Sequence, residues 1–372
     1  MKFFKSRWLN YALYLLSVII VILILFNVYF TFRIHNELVN FSSKQGKWPA
    51  GSYVYDPVIG FDFAPNISGP IGDGSFYVKS HELGYRIPKD QSSKEYRPDG
   101  VLSLGCSFTY GDEVEAEETF TQLIADSLNL PAYNYGICSF SYIHALLKAE
   151  ELKREGILDR LRPKYVVLGC WKGLSRRSKS PFPPIASKTI QFTAAYLKKD
   201  GDSLLIPPPM KVKEAFDLVT LYQKKGPELS FGKFFRIFFA APKYVYLYIK
   251  SRQSGGKTRS YSSAGSLVRD VELYDFYFGR IEKLFGKYNS RIIALYMPST
   301  MNDHPGEAIR EALKKHPDII LVDGMKAIKE FDVAPRQYKG IHPQPPAHEA
   351  YAWATIKKIR QKKTKGKNYS SY

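Results

Sequence analysis

From Trp8 to Phe32 the chain carries no charged side chain, and Leu13–Phe26 is almost unbroken Leu, Ile, Val and aromatic residues. A helix needs roughly 20 apolar residues to cross the hydrocarbon core, so this run predicts one membrane-spanning helix. A cleavable signal peptide has a shorter apolar region and a small-residue exit. Here Asn27, Tyr29 and Phe30 close the run as interfacial residues instead. Residues 1–32 therefore read as an uncleaved, single-pass signal anchor of the inner (cytoplasmic) membrane. Lys2, Lys5 and Arg7 favour a cytoplasmic N-terminus, which puts the rest of the chain in the periplasm or outside the cell.

Residues 33–50 read as a polar stalk, and residues 51–99, rich in Gly, Pro and Asp with short aromatic runs, as an irregular β-rich entry segment. From Val101 the texture changes. Val101–Leu104, Pro131–Tyr135, Tyr165–Leu168, Ile292–Tyr296 and Ile319–Val322 are five short runs of buried-strand type. Helical patterns separate them at Glu118–Leu128, Tyr142–Glu155, Leu267–Lys287 and Gly306–Lys315, and Ala347–Ile359 follows the last strand. Leu267, Val271, Tyr274, Phe278, Ile281 and Phe285 mark one apolar helical stripe. Strands alternating with helices predict a parallel sheet covered on both faces, whose chemistry sits at the carboxyl ends of its strands. Residues 51–362 are expected to form this α/β domain, interrupted at about 175–265 by an insertion and followed by a basic tail at 363–372. Within the insertion, Phe231–Lys250 sets Phe234, Phe235, Ile237, Phe238, Phe239, Tyr244, Tyr246 and Tyr248 among Lys233, Arg236, Lys243 and Lys250. The favoured reading packs these aromatics on the domain; the alternative lays them in a membrane interface.

The chain has 372 residues, 45% hydrophobic and 24% charged, enough to bury a sizeable core. Its net charge of +19 calls for an anionic neighbour. Nucleic acid is disfavoured, because the chain shows no zinc finger, RNP-like motif or phosphate loop. Anionic lipid or polysaccharide at the basic surface fits the membrane topology better. The seven Lys/Arg of Lys357–Lys367 read first as a solvated tail and second as a contact for such a surface. Three cysteines without a CxxC pair exclude a disulfide scaffold and give no zinc signal. Cys106, Cys138 and Cys170 fall at the ends of the first three strands, so simple burial and a disulfide between two of them both remain open. His81, His144, His304 and His316 have no ligand-like spacing. No metal, nucleotide or flavin site is signalled, so no cofactor is expected.

Three pieces carry candidate chemistry. After the first strand comes Gly105-Cys106-Ser107-Phe108-Thr109-Tyr110-Gly111. A serine on a tight turn at a sheet edge presents its hydroxyl as a nucleophile. After the second strand comes Asn134-Tyr135-Gly136, where a glycine lets an oxyanion approach a backbone N–H. Far downstream, Gly340-Ile341-His342-Pro343 offers a loop histidine as general base.

Together these pieces resemble the SGNH (GDSL-type) hydrolase family, as a membrane-anchored bacterial member. The first matches the block Gly-Asp-Ser-Phe-Thr-x-Gly, Asn134-x-Gly136 the second block, and His342-Pro343 with His348 and Ala350 the last. Phe63–Pro65 and Leu83-Gly84-Tyr85-Arg86 are similar to the region ahead of the first block. The resemblance covers roughly residues 52–360. It implies a flavodoxin-like three-layer α/β/α sandwich on a five-stranded parallel sheet. It also implies Ser107 as nucleophile, His342 as base, and the N–H groups of Ser107 and Gly136 in the oxyanion hole. The family's work is ester hydrolysis or acyl transfer, often on acylated sugars.

Three departures qualify the match. Cys106 replaces the common aspartate. The third block, Gly-x-Asn-Asp in the family, is here Gly169-Cys170-Trp171-Lys172-Gly173, so Lys172 is a candidate replacement for the oxyanion-binding asparagine. Lys339 stands three residues before His342, where the family has its aspartate, leaving Asp323 and Asp332 as candidate orienting carboxylates. The leading expectation is an anchored serine esterase or O-acyltransferase acting through an acyl-enzyme on an acylated envelope or exported polysaccharide. The alternatives are a catalytically degenerate SGNH-fold subunit that binds glycan or serves in assembly, and a lipid-directed esterase.

Overall fold

The computed structural model of the chain describes residues 2–44, 48–49, 51–71, 74–181, 195–209, 213–255, 268–298, 305–333, 338–339 and 342–367. It divides into two compact units: residues 1–46, 186–192 and 213–259 in one, and residues 47–185, 193–212 and 260–372 in the other.

The first unit is helical. Its helix α1 (Lys2–Lys44) is one long apolar helix, whose side chains from Trp8 to Phe26 lie almost entirely exposed. The expected stalk continues this helix, because nothing between Arg33 and Lys44 breaks it and its face is covered: Phe30, Ile34 and Leu38 are buried. The cover comes from two helices of the insertion, Lys213–Lys225 and Phe231–Gly255, both packed on α1. Asn27 Nδ2 donates to the Phe238 carbonyl at 3.0 Å, and His35 Nδ1 lies 2.6 Å from the Tyr222 hydroxyl. Within this unit the aromatic segment therefore packs on the N-terminal helix.

The second unit holds the sheet. Strands β1 (Val101–Gly105), β2 (Ala132–Gly136), β3 (Tyr165–Cys170), β4 (Arg291–Tyr296) and β5 (Ile320–Asp323) pair in parallel in the order 2-1-3-4-5. β1 and β3 are buried along their whole length, as near-continuous apolar runs covered on both faces should be; the polar side chain of β1, Ser103, accepts from Thr121 Oγ1 at 2.8 Å. The helices between them begin with α2 (Ser107–Tyr110), directly off β1, then α3 (Phe120–Leu128), α4 (Tyr142–Arg154) and α5 (Lys172–Ser178). Ser141 opens α4 with a capping box closed by His144, which satisfies two otherwise orphaned amides. In the first unit the two insertion helices are α6 (Lys213–Lys225) and α7 (Phe231–Gly255). In the sheet unit α8 (Asp270–Phe285), α9 (Glu307–Lys314), α10 (Gly324–Glu330) and α11 (Pro345–Lys367) complete the fold. The apolar stripe expected on α8 is buried at Tyr274, Phe278, Ile281 and Phe285.

Ahead of β1, two antiparallel hairpins, Tyr53–Asp56 with Gly60–Phe63 and Ser68–Pro70 with Tyr77–Lys79, realise the expected β-rich entry segment. The order 2-1-3-4-5 reverses direction between β1 and β3, and the crevice outside their carboxyl ends is where such sheets bind ligands.

Candidate active site

Gly105 ends β1, and Cys106 in extended conformation turns the chain into α2, so Ser107 is the first helical residue. This short helix can lie flat on the sheet edge because three strand-end glycines make room for it. A Cβ on Gly105 or Gly169 would overlap the Thr109 side chain, and one on Gly136 would overlap the backbone of Thr109 and Tyr110. Gly111 closes α2 in the left-handed conformation, at φ +78°.

The carbonyls at the end of α2 are satisfied from two sides. The Asn134 amide donates to Thr109 O at 2.9 Å. The buried Arg86 guanidinium donates to Tyr110 O and Gly111 O at 2.7 Å each and to Val114 O at 2.6 Å. Arg86 also lies 4.5 Å from the centre of the Tyr110 ring, a cation–π contact. Arg86 thus grips both ends of the loop Gly111–Val114.

Across from α2, His342 lies in a two-residue strand, His342–Pro343, paired with Tyr338–Lys339. Its Nε2 is 3.1 Å from Ser107 Oγ, a hydrogen bond joining residues 235 positions apart. The Phe108 ring meets the imidazole edge-on with centroids 5.7 Å apart. Two carboxylates lie within 4 Å of the ring, both from the loop that Arg86 holds. Asp112 Oδ2 is 3.6 Å from Nε2, and Glu113 Oε1 is 3.9 Å from Nδ1. Glu113 adopts φ +72°, a left-handed conformation that costs a non-glycine residue about 1–2 kcal/mol, and its second carboxylate oxygen is buried without a hydrogen-bond partner. Strain and an unpaired polar atom at one residue are common where function holds a side chain in place. Burial pushes the Asp112 carboxyl up from its ordinary value, while His342 and Arg86 draw it back down.

The other candidate residues lie elsewhere. Asp323 caps α10, accepting from the Met325 and Lys326 amides at 3.0 and 3.3 Å, and pairs with Arg310 at 3.4 Å. Asp332 is exposed in the turn after α10. Among the described residues the carboxylates within 4 Å of the His342 ring are those of Asp112 and Glu113, and Asp323 and Asp332 are not among them. The Gly136 N–H donates to Asn134 Oδ1 at 3.0 Å, so the glycine seats α2 and its amide is already engaged. Lys172 is exposed as the first residue of α5. Counted from Gly169, the asparagine position of the third block belongs to Trp171. The Trp171 indole stacks on Phe108 with centroids 5.1 Å apart, and its Nε1–H is buried with no acceptor. The Lys339 side chain, with Gly340, Ile341 and His304, lies outside the described residues, as does the end of the basic tail beyond Lys367.

Cys106, Cys138 and Cys170 are all buried and free, so the disulfide alternative gives way to simple burial, which pushes the Cys170 thiol up to about 12. Two further histidines are structural. His144 and His348 are fully buried, and desolvation holds each at about 3. His348 Nδ1 accepts the Phe120 N–H at 3.2 Å.

Asp112 and Glu113 were missed by sequence reasoning, which sought a carboxylate near His342 along the chain. The available signal was the acidic pair directly after the Ser107 block.

No family model matches the chain, and no curated protein does. Among solved structures it is similar to a member of the lipolytic protein G-D-S-L family from Veillonella parvula DSM 2008. That match has 11% identity and a TM-score of 0.33, and covers 69% of this chain and 96% of the other. It is also similar to LAE5, an alpha/beta hydrolase enzyme from the metagenome of Lake Arreo, Spain, at 12% identity and a TM-score of 0.35, over 71% and 97% of the two chains. Both are distant matches.

Proposed function

We propose that the protein is a membrane-anchored serine esterase or O-acyltransferase acting on an acylated envelope or exported polysaccharide. The observation that carries this reading is the 3.1 Å approach of His342 Nε2 to Ser107 Oγ at the switch point of the sheet, within the reach a general base needs. In this mechanism the Ser107 hydroxyl attacks the ester carbonyl and His342 accepts its proton. Glu113 steadies the Nδ1 side of the resulting imidazolium, and Asp112 adds negative charge beside it. His342 then returns the proton to the departing alkoxide, leaving an acyl-enzyme. Water attacking that ester gives an esterase; a sugar hydroxyl gives a transferase. The oxyanion donors are the Ser107 N–H at the start of α2 and the unpartnered Trp171 indole N–H. The span Trp8–Phe26 anchors the chain in the inner membrane with the sheet unit outside the cytoplasm, and the charge of +19 suits an acidic polysaccharide.

The test is labelling of the full-length protein in mild detergent with a serine-reactive fluorophosphonate, alongside hydrolysis of p-nitrophenyl acetate. Labelling is expected in the wild type, lost in Ser107→Ala and His342→Ala, and slowed about 10²-fold in Trp171→Phe, the cost of one oxyanion donor. A folded wild-type protein that does not label sinks the catalytic reading and favours a glycan-binding subunit.

A further inference from the structure

The apolar run of α1 has a length that can be compared with a bilayer. From Trp8 to Phe26 the helix rises about 28 Å at 1.5 Å per residue, close to the roughly 30 Å of hydrocarbon in a membrane. Asn27 stands where that run ends, and its side chain holds the carbonyl of Phe238 on α7 at 3.0 Å. One turn further, the Phe32 ring lies 6.1 Å from that of Phe234. Residues 234–238 of α7 are thereby fixed beside residues 27–32 of α1, at one boundary of the hydrocarbon. α7 does not follow α1 into the apolar run, because Leu16, Ile20 and Leu23 are exposed.

α7 has two apolar faces. Ile237, Ala241, Tyr244 and Leu247 are buried along one side. Along the other, Phe231, Phe235, Phe239, Tyr246 and Ile249 recur at helical spacing and are exposed, Phe231 by 81% and Phe239 by 76%. One face accounts for packing on the first unit; on the second, Phe231, Phe235 and Phe239 remain exposed. An exposed aromatic stripe of this length marks a contact surface. The sequence of this helix has five Lys/Arg and no acidic residue; Lys233 is buried and donates to the Gly226 and Glu228 carbonyls at 2.7 and 2.8 Å, whereas Arg236, next to Phe235 in the chain, is exposed. Exposed aromatics on a basic helix without acids are the composition of a helix lying in the headgroup layer, and an exposed cation such as Arg236 favours anionic lipid. Continuity with the end of the membrane span selects lipid as the occupant.

We propose that α7 is an interfacial helix whose Phe231, Phe235 and Phe239 side enters the headgroup–acyl boundary of an anionic bilayer, at the level of Asn27. This rests on the reading of α1 as a membrane span, so the experiment reports on both. Full-length protein is placed in phosphatidylethanolamine/phosphatidylglycerol vesicles with a spin label at Leu16→Cys, Phe235→Cys, Phe239→Cys or Arg236→Cys; the native cysteines are buried and serve as the labelling background. Collisional accessibility to oxygen, which concentrates in lipid, is compared with that to a water-soluble nickel chelate. The expected result is a shift toward oxygen at positions 235 and 239 relative to 236, shallower than the shift at position 16. Nickel exposure at 235 and 239 with oxygen preference at 16 overturns the proposal and leaves the anchor standing. Nickel exposure at all four sites overturns both. Dipolar broadening at 239 without oxygen preference overturns it in favour of a second copy of the chain as the occupant.

Discussion

The imidazole of His342 has a different carboxylate toward each ring nitrogen, and the two carboxylates carry different chemical burdens. Glu113 faces Nδ1, the nitrogen away from Ser107, which is where an orienting group acts. Asp112 lies toward Nε2, beside the serine, and contributes only charge. Glu113→Gln should therefore lower kcat toward p-nitrophenyl acetate by about 10²-fold, at the lower end of what general acid–base assistance supplies. Glu113→Asp should recover part of the loss, and Asp112→Asn should lose less than Glu113→Gln. Equal losses in both variants would remove the distinction. Asp112→Asn has a second readout. Burial raises the Asp112 carboxyl, so ionising it costs stability progressively as pH rises from the ordinary carboxylate range, the cost being complete above the raised value. The asparagine variant should have a higher Tm than wild type at neutral pH, and the gap should close as pH falls and the wild-type carboxyl takes up its proton. A gap independent of pH would contradict this assignment. His348 supplies the opposite sign. Its ordinary value is 6.5 and desolvation holds it at about 3 in the fold, so the unfolded chain binds the extra proton first. The stability it permits is complete above about pH 6.5 and is lost progressively toward pH 3. His348→Gln, which keeps an acceptor for the Phe120 N–H, should flatten that acid limb in denaturant titrations at stepped pH; an unchanged limb would assign it to other groups.

Each strand of the sheet lies within two residues of the short run expected for it, apolar except at Ser103 and Asn134, because a strand covered on both faces is mostly apolar. α3, α4 and α9 lie equally close to their periodic patterns, and α8 starts three residues inside its own. The Ser107 turn was readable for a similar reason, since its glycines are local requirements of backbone contact. Their cause was less readable. Gly136 was expected to admit an oxyanion, whereas the structure uses its missing Cβ to seat α2, and its amide serves Asn134. Gly136→Ala should therefore act on folding first. Overlap with the Thr109 and Tyr110 backbone cannot be relieved by a rotamer change, so a loss of about 3 kcal/mol is expected, at the upper end of the usual cost of overpacking. Pulse proteolysis measures it. A variant as stable as wild type but slower toward p-nitrophenyl acetate would return Gly136 to the oxyanion hole. The insertion helices were the least legible elements: Pro242 interrupts the propensity of α7, and the partner that buries its inner face lies some two hundred residues earlier in the chain. The Asp112–Glu113 pairing with His342 was hidden in the same way, because the hairpins and Arg86 set it, and spacing along the chain carries no trace of it.

At the scale of the whole chain, the division into units cuts across the order of the sequence. Of the segment expected as an insertion at about 175–265, residues 186–192 and 213–259 belong with the N-terminal helix and the rest with the sheet, and α6 and α7 bury Ile34 and Leu38 of α1 completely. The consequence concerns the usual route to a soluble fragment, removal of the membrane helix. Deleting residues 1–46 takes away the apolar run but also uncovers the inner faces of α6 and α7, adding to the exposed stripe Phe231, Phe235 and Phe239. Each large aliphatic or aromatic side chain newly exposed to water costs about 1.5–3 kcal/mol, and two adjoining helix faces make a patch that soluble monomers avoid. The truncated chain should therefore still require detergent, eluting as an aggregate in plain buffer and floating with phosphatidylglycerol vesicles. Under the same conditions a variant lacking both residues 1–46 and residues 213–259, the latter replaced by a short Gly/Ser linker, should elute as a monomer and retain fluorophosphonate labelling at Ser107, since the sheet, the Arg86 grip and the His342 strand all lie in the other unit. If removal of residues 1–46 alone gives a monodisperse protein in detergent-free buffer, the insertion helices are covered by something other than α1, and the assignment of the anchor unit fails.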